Sequence, residues 1–218
     1  MSDIILYSAR VCPFCHRNRL ALLEKGLNYK LIEIDLNDKP EWFQEISPFG
    51  TVPALVNGAL HIWESSIINE YLEEIRPNPA LLPLDPGQRA RARIWIDFAN
   101  IRFIPAFYKL LSEKDPEKRP SRADKLMTFL EIMEKEGIGR MGAGGSYWLG
   151  QHLSLVDLAI YPWFERWPVL EHYRSVFSLE KFPQLNHWVA IMKRRPSVRE
   201  CKENEDYYIR EYRGYAEG

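Results

Sequence analysis

The stretch IILYSARVCPFCHRNRLALLEKG, residues 4–26, decides the fold of the first part of the chain. Its first four residues form a short apolar run with β-branched and aromatic side chains, which is typical of a buried strand. Pro13 follows after a short loop, and proline suits the first turn of a helix because no N–H is needed there. Leucines then recur at roughly helical spacing until Gly26, a common helix stop. The stretch therefore predicts a strand, a loop that ends at Cys12, and a helix.

The segments that follow extend this pattern. Residues 29–35 alternate apolar and polar side chains, as a second strand does. Asn57-Gly58 separates two further β-prone runs, residues 51–56 and 60–63, and this dipeptide is a strong hairpin signal. A helical pattern with serines at its start occupies residues 64–76. The first part is therefore predicted to be an α/β domain of thioredoxin-like order, βαβ followed by ββα.

A domain boundary is predicted after this pattern. Four prolines and a glycine crowd residues 77–87, which indicates an irregular connection. We expect a first domain at residues 1–79, a linker at 80–88 and a second domain at 89–218. Strand signals fade in the second domain and helical periodicity replaces them, so it is predicted to be all-α. The periodic segments are residues 87–112, 120–136, 154–170 and 183–195.

Composition and charge exclude several classes of protein. The chain has 218 residues, of which 46% are hydrophobic and 13% aromatic, so it is neither disordered nor collagen-like. Its 29 Lys and Arg nearly cancel 30 Asp and Glu. No overall positive field attracts nucleic acid, and we expect no nucleic-acid partner. No apolar run reaches the roughly 18 residues that a bilayer span needs, so we expect no membrane contact and a cytoplasmic protein.

Cys12 is the residue that carries the predicted chemistry. Three cysteines are too few for a secreted disulfide framework, and two of them stand in the motif Cys12-Pro13-Phe14-Cys15. A thiolate at a helix N-terminus is favoured by unpaired backbone N–H groups and by the helix dipole. Cysteines in such positions have pKa values of roughly 3.5 to 7.5. Cys12 is therefore predicted to be a catalytic nucleophile.

Cys15 admits two interpretations. It lies one turn deeper in the predicted helix, where it either resolves a mixed disulfide on Cys12 or packs against the sheet. A structural zinc site is not expected, because it takes four ligands, Cys201 has no partner cysteine and His16 points to another face. The predicted chemistry involves no metal.

Several motifs of the chain, taken together, resemble those of a known family. The Cys-Pro-Phe-Cys helix, Thr51-Val52-Pro53 and Glu64-Ser65 are similar to the glutathione-binding domain of glutathione transferases of the cysteine-type omega class and its bacterial relatives. Ser154-Leu155-Val156-Asp157 resembles the family's capping box, and residues 161–166 resemble an omega-class stretch. The resemblance spans nearly the whole chain, and it implies the glutathione transferase fold with glutathione as co-substrate.

The resemblance also implies roles for single residues. Val52 before a cis Pro53 would pair with the cysteinyl part of glutathione, and Glu64 with Ser65 would hold its γ-glutamyl group. By the same resemblance, Lys39 would pair with the glycyl carboxylate of glutathione, and Phe14 would line the surroundings of the sulfur. Trp163 and Arg166 would border an electrophile pocket.

For the reaction, the resemblance implies that Cys12 forms a mixed disulfide with glutathione during thiol transfer, dehydroascorbate reduction or deglutathionylation of conjugates. Alternatives stay open: conjugation or ether cleavage with glutathione activated by Tyr7 or Ser8, a dithiol cycle that uses Cys15, and a non-catalytic protein that binds hydrophobic ligands. The family commonly forms homodimers. The Tyr-rich end of the chain either covers the cleft, joins a dimer contact or frays; its tyrosines are Tyr207, Tyr208, Tyr212 and Tyr215.

Overall fold

The structure is a computed structural model that describes residues 4–176 and 178–218. The first three residues of the predicted first domain lie outside this range. The described chain divides into two compact units that meet between Leu81 and Leu82. The first unit mixes strands and helices and the second is helical, so the α/β plus all-α fold class is confirmed. The exact domain limits stay a prediction.

The first unit is a four-stranded sheet with three helices. Its strand order is β2-β1-β3-β4, with β1 parallel to β2 and antiparallel to β3, and with β3 antiparallel to β4. The parallel pair requires a crossover, which the first helix supplies, while Asn57 and Gly58 allow the tight turn between the last two strands. The elements in chain order are β1 (Ile4–Ser8), α1 (Pro13–Glu24), β2 (Lys30–Glu33), α2 (Phe43–Ile46), β3 (Ala54–Asn57), β4 (Leu60–Trp63) and α3 (Ser65–Ile75).

Both faces of the sheet are covered. Alternate residues of each strand point to opposite faces, so Tyr7 and Val56 share one face while Leu6 and Leu55 share the other. Phe43 of α2 completes the core on the Tyr7 side. Helices α1 and α3 pack together, and α3 contacts both β3 and β4. Four residues of the predicted site lie at the N-termini of these two helices: Cys12 and Phe14 at α1, and Glu64 and Ser65 at α3.

The second unit consists of helices. Two stretches of π-helix, Ala99–Phe103 and Met133–Gly139, connect α-helical segments with no loop between them. A single 3₁₀ turn covers Leu179–Lys181. The α-helices are α4 (Pro86–Phe98), α5 (Ile104–Leu111), α6 (Arg119–Ile132), α7 (Arg140–Gly142), α8 (Leu155–Glu165), α9 (Trp167–Arg174), α10 (Pro183–Met192), α11 (Pro196–Cys201), α12 (Glu205–Glu211) and α13 (Arg213–Glu217).

Two predicted boundaries differ from the observed ones. Helix α4 begins at Pro86, inside the stretch predicted as linker 80–88, because the Asp85 side chain accepts a hydrogen bond from the Gln88 N–H and caps the helix. The single helix predicted over residues 154–170 is interrupted at Arg166. Pro168 has no N–H to donate to the carbonyl of Phe164, so the helical bond that would cross this point cannot form.

Candidate active site

Cys12 occupies the N-cap position of α1. Its backbone is extended and Pro13 takes the first helical position, as the sequence predicts. The Cys12 N–H donates to the Ala9 carbonyl at 3.0 Å, which closes the turn before the helix. Cys12 is partly exposed, and its sulfur lies 4.0 Å from the carbonyl oxygen of Val52. The sulfur thus stands where the positive end of the α1 dipole and unpaired N–H groups favour a negative charge.

Cys15 lies beneath Cys12 and is fully buried. Its sulfur accepts a hydrogen bond from the Ala9 N–H at 3.3 Å. Burial raises the pKa of the Cys15 thiol well above its usual value, and the hydrogen bond and charge of Cys12 raise it further. Cys15 therefore retains its proton under conditions in which an exposed thiol ionises, and the two cysteines differ in reactivity.

A cavity of about 200 Å³ is lined by the residues that follow β4, by the loop before β3 and by the start of α1. Five of the six residues predicted to bind glutathione line it, and the sixth lining residue, Thr51, is one that sequence reasoning missed. The Val52–Pro53 peptide bond is cis, as the resemblance implied. The lining residues are Phe14, Thr51, Val52, Pro53, Glu64 and Ser65.

Glu64 has an unusual backbone. Its φ of 70° and ψ of 111° place a residue with a side chain in the region that glycine favours. Such a conformation costs on the order of 1 to 3 kcal/mol and persists only where the surrounding structure enforces it. Here the strand β4 ends and α3 begins, and the Glu64 carbonyl accepts the first helical bond from Ile68 N–H at 2.9 Å. The exposed Glu64 carboxylate is thereby presented at the cavity.

Ser65 is supported from below by buried polar side chains of α1. An Arg17 guanidinium N–H donates to the Ser65 hydroxyl oxygen at 3.1 Å, and the Asn18 amide donates to the Ser65 carbonyl at 2.8 Å. The Asn18 amide also donates to the Asn69 side chain at 2.5 Å. Because a guanidinium can only donate, the Ser65 hydroxyl proton is left to donate elsewhere, and the cavity side suits an anionic acceptor.

Sequence reasoning missed these supporting residues, although a signal was present. Four consecutive polar residues, 16–19, are all buried in a helix that packs on α3. A buried polar side chain requires a partner, so a polar run in a helix predicted to be covered indicates specific contacts. Periodicity alone does not report which contacts they are.

Two other predicted groups lie apart from the cavity. Lys39 is exposed in the loop after β2 and is not among the residues that line the cavity, so its role stays a prediction. Trp163 and Arg166 belong to the second unit and are fully buried there. The Arg166 guanidinium donates to the Pro162 carbonyl at 2.9 Å and lies 4.3 Å from the centre of the Tyr208 ring. A pocket wall needs exposed surface, and neither side chain has any in this structure, which argues against the predicted pocket role.

The hydroxyl groups considered as alternatives to Cys12 are not at the cavity. The ring of Tyr7 is almost completely buried against Trp42 and Phe43, with ring centres 5.8 and 5.7 Å away. Ser8 is fully buried, and its hydroxyl oxygen accepts a hydrogen bond from Arg19 at 3.0 Å. The contacts of both residues are thus internal ones.

The arrangement suits a ligand that carries both a negative group and a positive group. Two helix N-termini and the buried Arg17 favour negative groups, while Glu64 offers a carboxylate to a cation. Among residues 4–176 and 178–218, no group of three or more His, Cys, Asp or Glu side chains could hold a metal ion. None of the helices in this part of the chain has the length and apolar character that a bilayer span requires.

Comparison with known proteins agrees with this geometry. Residues 6–80 match the family model for the glutathione S-transferase N-terminal domain, and residues 116–190 match the one for the C-terminal domain. The chain is 33% identical to mouse glutathione S-transferase omega-2 over 200 residues, which cover 89% of this chain and 77% of the mouse protein.

Solved structures show the same fold. Glutathione transferase Omega 3C from Trametes versicolor superposes with a TM-score of 0.88 at 29% identity, over 98% of this chain and 90% of that one. Dehydroascorbate reductase from Chlamydomonas reinhardtii superposes with a TM-score of 0.81 at 25% identity, over 98% of each chain.

Proposed function

Because the chain belongs to the glutathione S-transferase family and has relatives in its omega class, we propose that it is a glutathione-dependent thiol transferase and reductase with Cys12 as nucleophile. The observation that carries this proposal is the position of Cys12, a partly exposed residue at the N-terminus of α1 whose sulfur lies 4.0 Å from the Val52 carbonyl oxygen. A transferase that only activates bound glutathione uses a hydroxyl at this position. A cysteine attacks sulfur directly.

The proposed reaction begins with a mixed disulfide between a substrate thiol and glutathione. The Cys12 thiolate attacks the glutathionyl sulfur, so a Cys12–glutathione disulfide forms while the bond to the substrate sulfur breaks. The substrate leaves as a thiolate and takes a proton from water. The thiolate of a second glutathione then attacks the bound glutathionyl sulfur, which produces glutathione disulfide and restores the Cys12 thiolate. The substrate sulfur is reduced to a thiol and the one free glutathione is oxidised, while the glutathionyl unit of the substrate stays at the disulfide level throughout.

Glutathione itself matches the cavity. Val52, before the cis Pro53, offers backbone groups to the cysteinyl part, as a strand neighbour would. The γ-glutamyl end carries a carboxylate and an ammonium group, which suit Ser65 and Glu64 respectively. Phe14 borders the cavity beside Cys12. Lys39 is proposed to reach the glycyl carboxylate from its exposed loop.

The same thiolate extends the proposal to two further substrates. In dehydroascorbate reduction, two glutathiones supply two electrons and two protons and become glutathione disulfide, and a structural relative is a dehydroascorbate reductase. In deglutathionylation of S-(phenacyl)-type conjugates, Cys12 takes the glutathionyl sulfur and the carbon fragment takes a proton to become a ketone.

We propose that Cys15 takes no part in exchange. Its sulfur is fully buried and the pKa of its thiol is raised, first by burial, so it is a poor attacking group. Cys12 alone then carries the cycle, and the glutathione mixed disulfide is the resting product of oxidation.

Cysteine substitutions test the proposal. Cys12→Ser should reduce the rate of mixed-disulfide reduction about 10³-fold or more, because a serine hydroxyl doesn't exchange with disulfides. Cys15→Ser should retain most of the turnover, and mass spectrometry after treatment with glutathione disulfide should show one glutathione on Cys12 in both wild type and this variant.

Cys201→Ser is the matched control, because Cys201 is partly exposed in the second unit. Undiminished turnover in Cys12→Ser would remove Cys12 from the mechanism. A Cys12–Cys15 disulfide as the main oxidised species, with turnover lost in Cys15→Ser, would replace the one-thiol cycle by a two-thiol cycle.

We also propose a cytoplasmic homodimer. Phe49 is 74% exposed in the loop before β3, and a large apolar side chain at the surface favours contact with a second copy. None of the three cysteines forms a disulfide in the described residues, in keeping with a compartment that holds thiols reduced.

A further inference from the structure

Arg19 of α1 is a buried cation close to the two cysteines. Only 6% of its surface is exposed. One guanidinium nitrogen donates to the Ser8 hydroxyl oxygen at 3.0 Å and to the Ala9 carbonyl at 3.4 Å, and the other terminal nitrogen donates to the Arg10 carbonyl at 3.2 Å. The planar guanidinium thus holds three consecutive residues at once, a geometry that a lysine ammonium cannot reproduce.

The segment held by Arg19 is the one that delivers Cys12. The Ala9 carbonyl, which accepts from Arg19, also accepts from the Cys12 N–H at 3.0 Å. The Ala9 N–H donates to the Cys15 sulfur at 3.3 Å. A shift of the loop at Ala9 would therefore have two effects at once: it would move Cys12, and it would break the hydrogen bond from the Ala9 N–H to the Cys15 sulfur.

The charge of Arg19 also acts on the Cys15 sulfur. Burial and the nearby Cys12 raise the pKa of the Cys15 thiol, and the positive charge of Arg19 opposes that rise. Other charged groups near the loop make contacts of their own: Glu33 of β2 accepts from the Arg10 N–H at 2.9 Å, Arg17 donates to Ser65, and Glu64 lines the cavity. Arg19 therefore places a positive charge close to the Cys15 sulfur, and Cys15 in turn contacts Cys12.

From these contacts we propose that Arg19 is a positioning residue for Cys12, which fixes the loop Ser8–Val11 so that the Cys12 sulfur stands beside Val52, and which places a positive charge beneath the sulfur. The inference rests on the proposed function, in which Cys12 is the nucleophile. It also gives Ser8 a structural role as an acceptor for Arg19. A purely structural arginine would stabilise the fold without changing the reactivity of Cys12.

The test compares Arg19→Met, which removes the fork and the charge, with Arg19→Lys, which keeps the charge alone. The rate at which iodoacetamide alkylates Cys12 is measured between pH 4 and pH 10 by mass spectrometry of the Cys12 peptide. We expect the midpoint of this profile to rise by about one pH unit or more in Arg19→Met, because an adjacent cation favours the thiolate. Arg19→Lys should shift the midpoint less but lower kcat for disulfide reduction, with KM for glutathione nearly unchanged.

Arg174→Met and Arg174→Lys are the matched controls. Arg174 is a partly buried arginine of the second unit that also donates to backbone carbonyls, those of Leu110, Leu111, Tyr173 and Ala216. Its substitution should lower the midpoint of urea unfolding and leave the alkylation profile of Cys12 unchanged.

An unchanged midpoint and unchanged kcat in folded Arg19→Lys or Arg19→Met would overturn the inference. If Arg19→Met does not fold, the kcat and alkylation profile of Arg19→Lys decide the question. Failure of the proposed function has a different signature, since it appears as full turnover in Cys12→Ser, while the alkylation midpoints of the Arg19 variants are measured without any turnover.

Discussion

Glu64 couples backbone conformation to binding within a single residue. Its positive φ is one that residues with a Cβ atom seldom adopt, yet its carboxylate stands beside Ser65 at the cavity. Glycine would relieve the backbone, and any residue other than an acid would remove the partner for a ligand ammonium group. If Glu64 binds the ammonium group as proposed, binding chemistry and backbone preference conflict at this position.

Comparison of Glu64→Gly with Glu64→Ala separates the two effects. Both should raise KM for glutathione about tenfold, because each loses a charged hydrogen bond to the ammonium group. Glu64→Gly should have a free energy of unfolding about 1 kcal/mol higher than Glu64→Ala, since only glycine adopts this φ without a steric penalty. Urea denaturation and steady-state kinetics measure these quantities. Equal stability of the two variants would show that Glu64 is not strained.

Asp157 shows how one element is fixed in the second unit. It forms a capping box with Ser154 at the start of α8, as the sequence predicts. Its other oxygen accepts from the Trp148 N–H at 2.9 Å and from the Trp188 ring N–H at 2.8 Å. The cap of one helix is therefore also the link to the segment before α8 and to α10.

Asp157→Ala should destabilise the protein by about 3 kcal/mol, because buried donors of Trp148, Trp188 and Ser154 lose their acceptor. Asp124→Ala, an exposed acid of α6, is the control and should change stability by less than about 0.5 kcal/mol. Thermal and urea unfolding measure both. A loss below about 1 kcal/mol for Asp157→Ala would mean that the cap alone, without its long-range bonds, accounts for its effect.

At the scale of the whole molecule, buried acids set the response to pH. Burial raises the pKa of Asp157 and of Glu165, and burial with the nearby Glu205 raises that of Glu171. Glu113, which is partly buried, has a pKa lowered chiefly by the hydrogen bond from the Asp115 N–H, so its contribution to the pH dependence opposes theirs. Between the unfolded and folded pKa of a buried acid, the native state binds more protons than the unfolded state. Stability then falls as pH rises.

We therefore expect the free energy of unfolding to decrease as the pH rises above about 4 to 4.5, where unfolded acids ionise, through the higher pKa values of the folded state. Glu165→Gln should flatten this decrease, because the variant has no charge to bury and its amide oxygen can still accept from Tyr208, which donates to Glu165 at 2.6 Å. Urea denaturation at several pH values gives the slope. A slope of opposite sign in the wild type, or one that Glu165→Gln leaves unchanged, contradicts the assignment.

Features that depend only on a few neighbouring residues could be predicted from the sequence. Pro13 after Cys12 marks a helix start, Asn57-Gly58 marks a hairpin, and Ser154 with Asp157 marks a capped helix, because each depends on φ/ψ preferences and hydrogen bonds within a few residues. The resemblance to the family rested on the Cys-Pro-Phe-Cys helix, Thr51-Val52-Pro53 and Glu64-Ser65 together with residues 154–157 and 161–166. That resemblance, rather than local preferences, implied five of the six residues that line the cavity.

The tertiary structure alone decided which polar residues of α1 support the site. Arg17 donates a hydrogen bond to Ser65, and Arg19 donates one to the Ala9 carbonyl. In each case the two residues lie far apart in the sequence or on different elements. It also decided that Arg166 is fully buried rather than exposed, and that Cys15 lies beneath Cys12. Periodicity predicts which face of a helix is covered, but the partner of a buried polar group depends on how elements pack, and packing is a property of the folded chain as a whole.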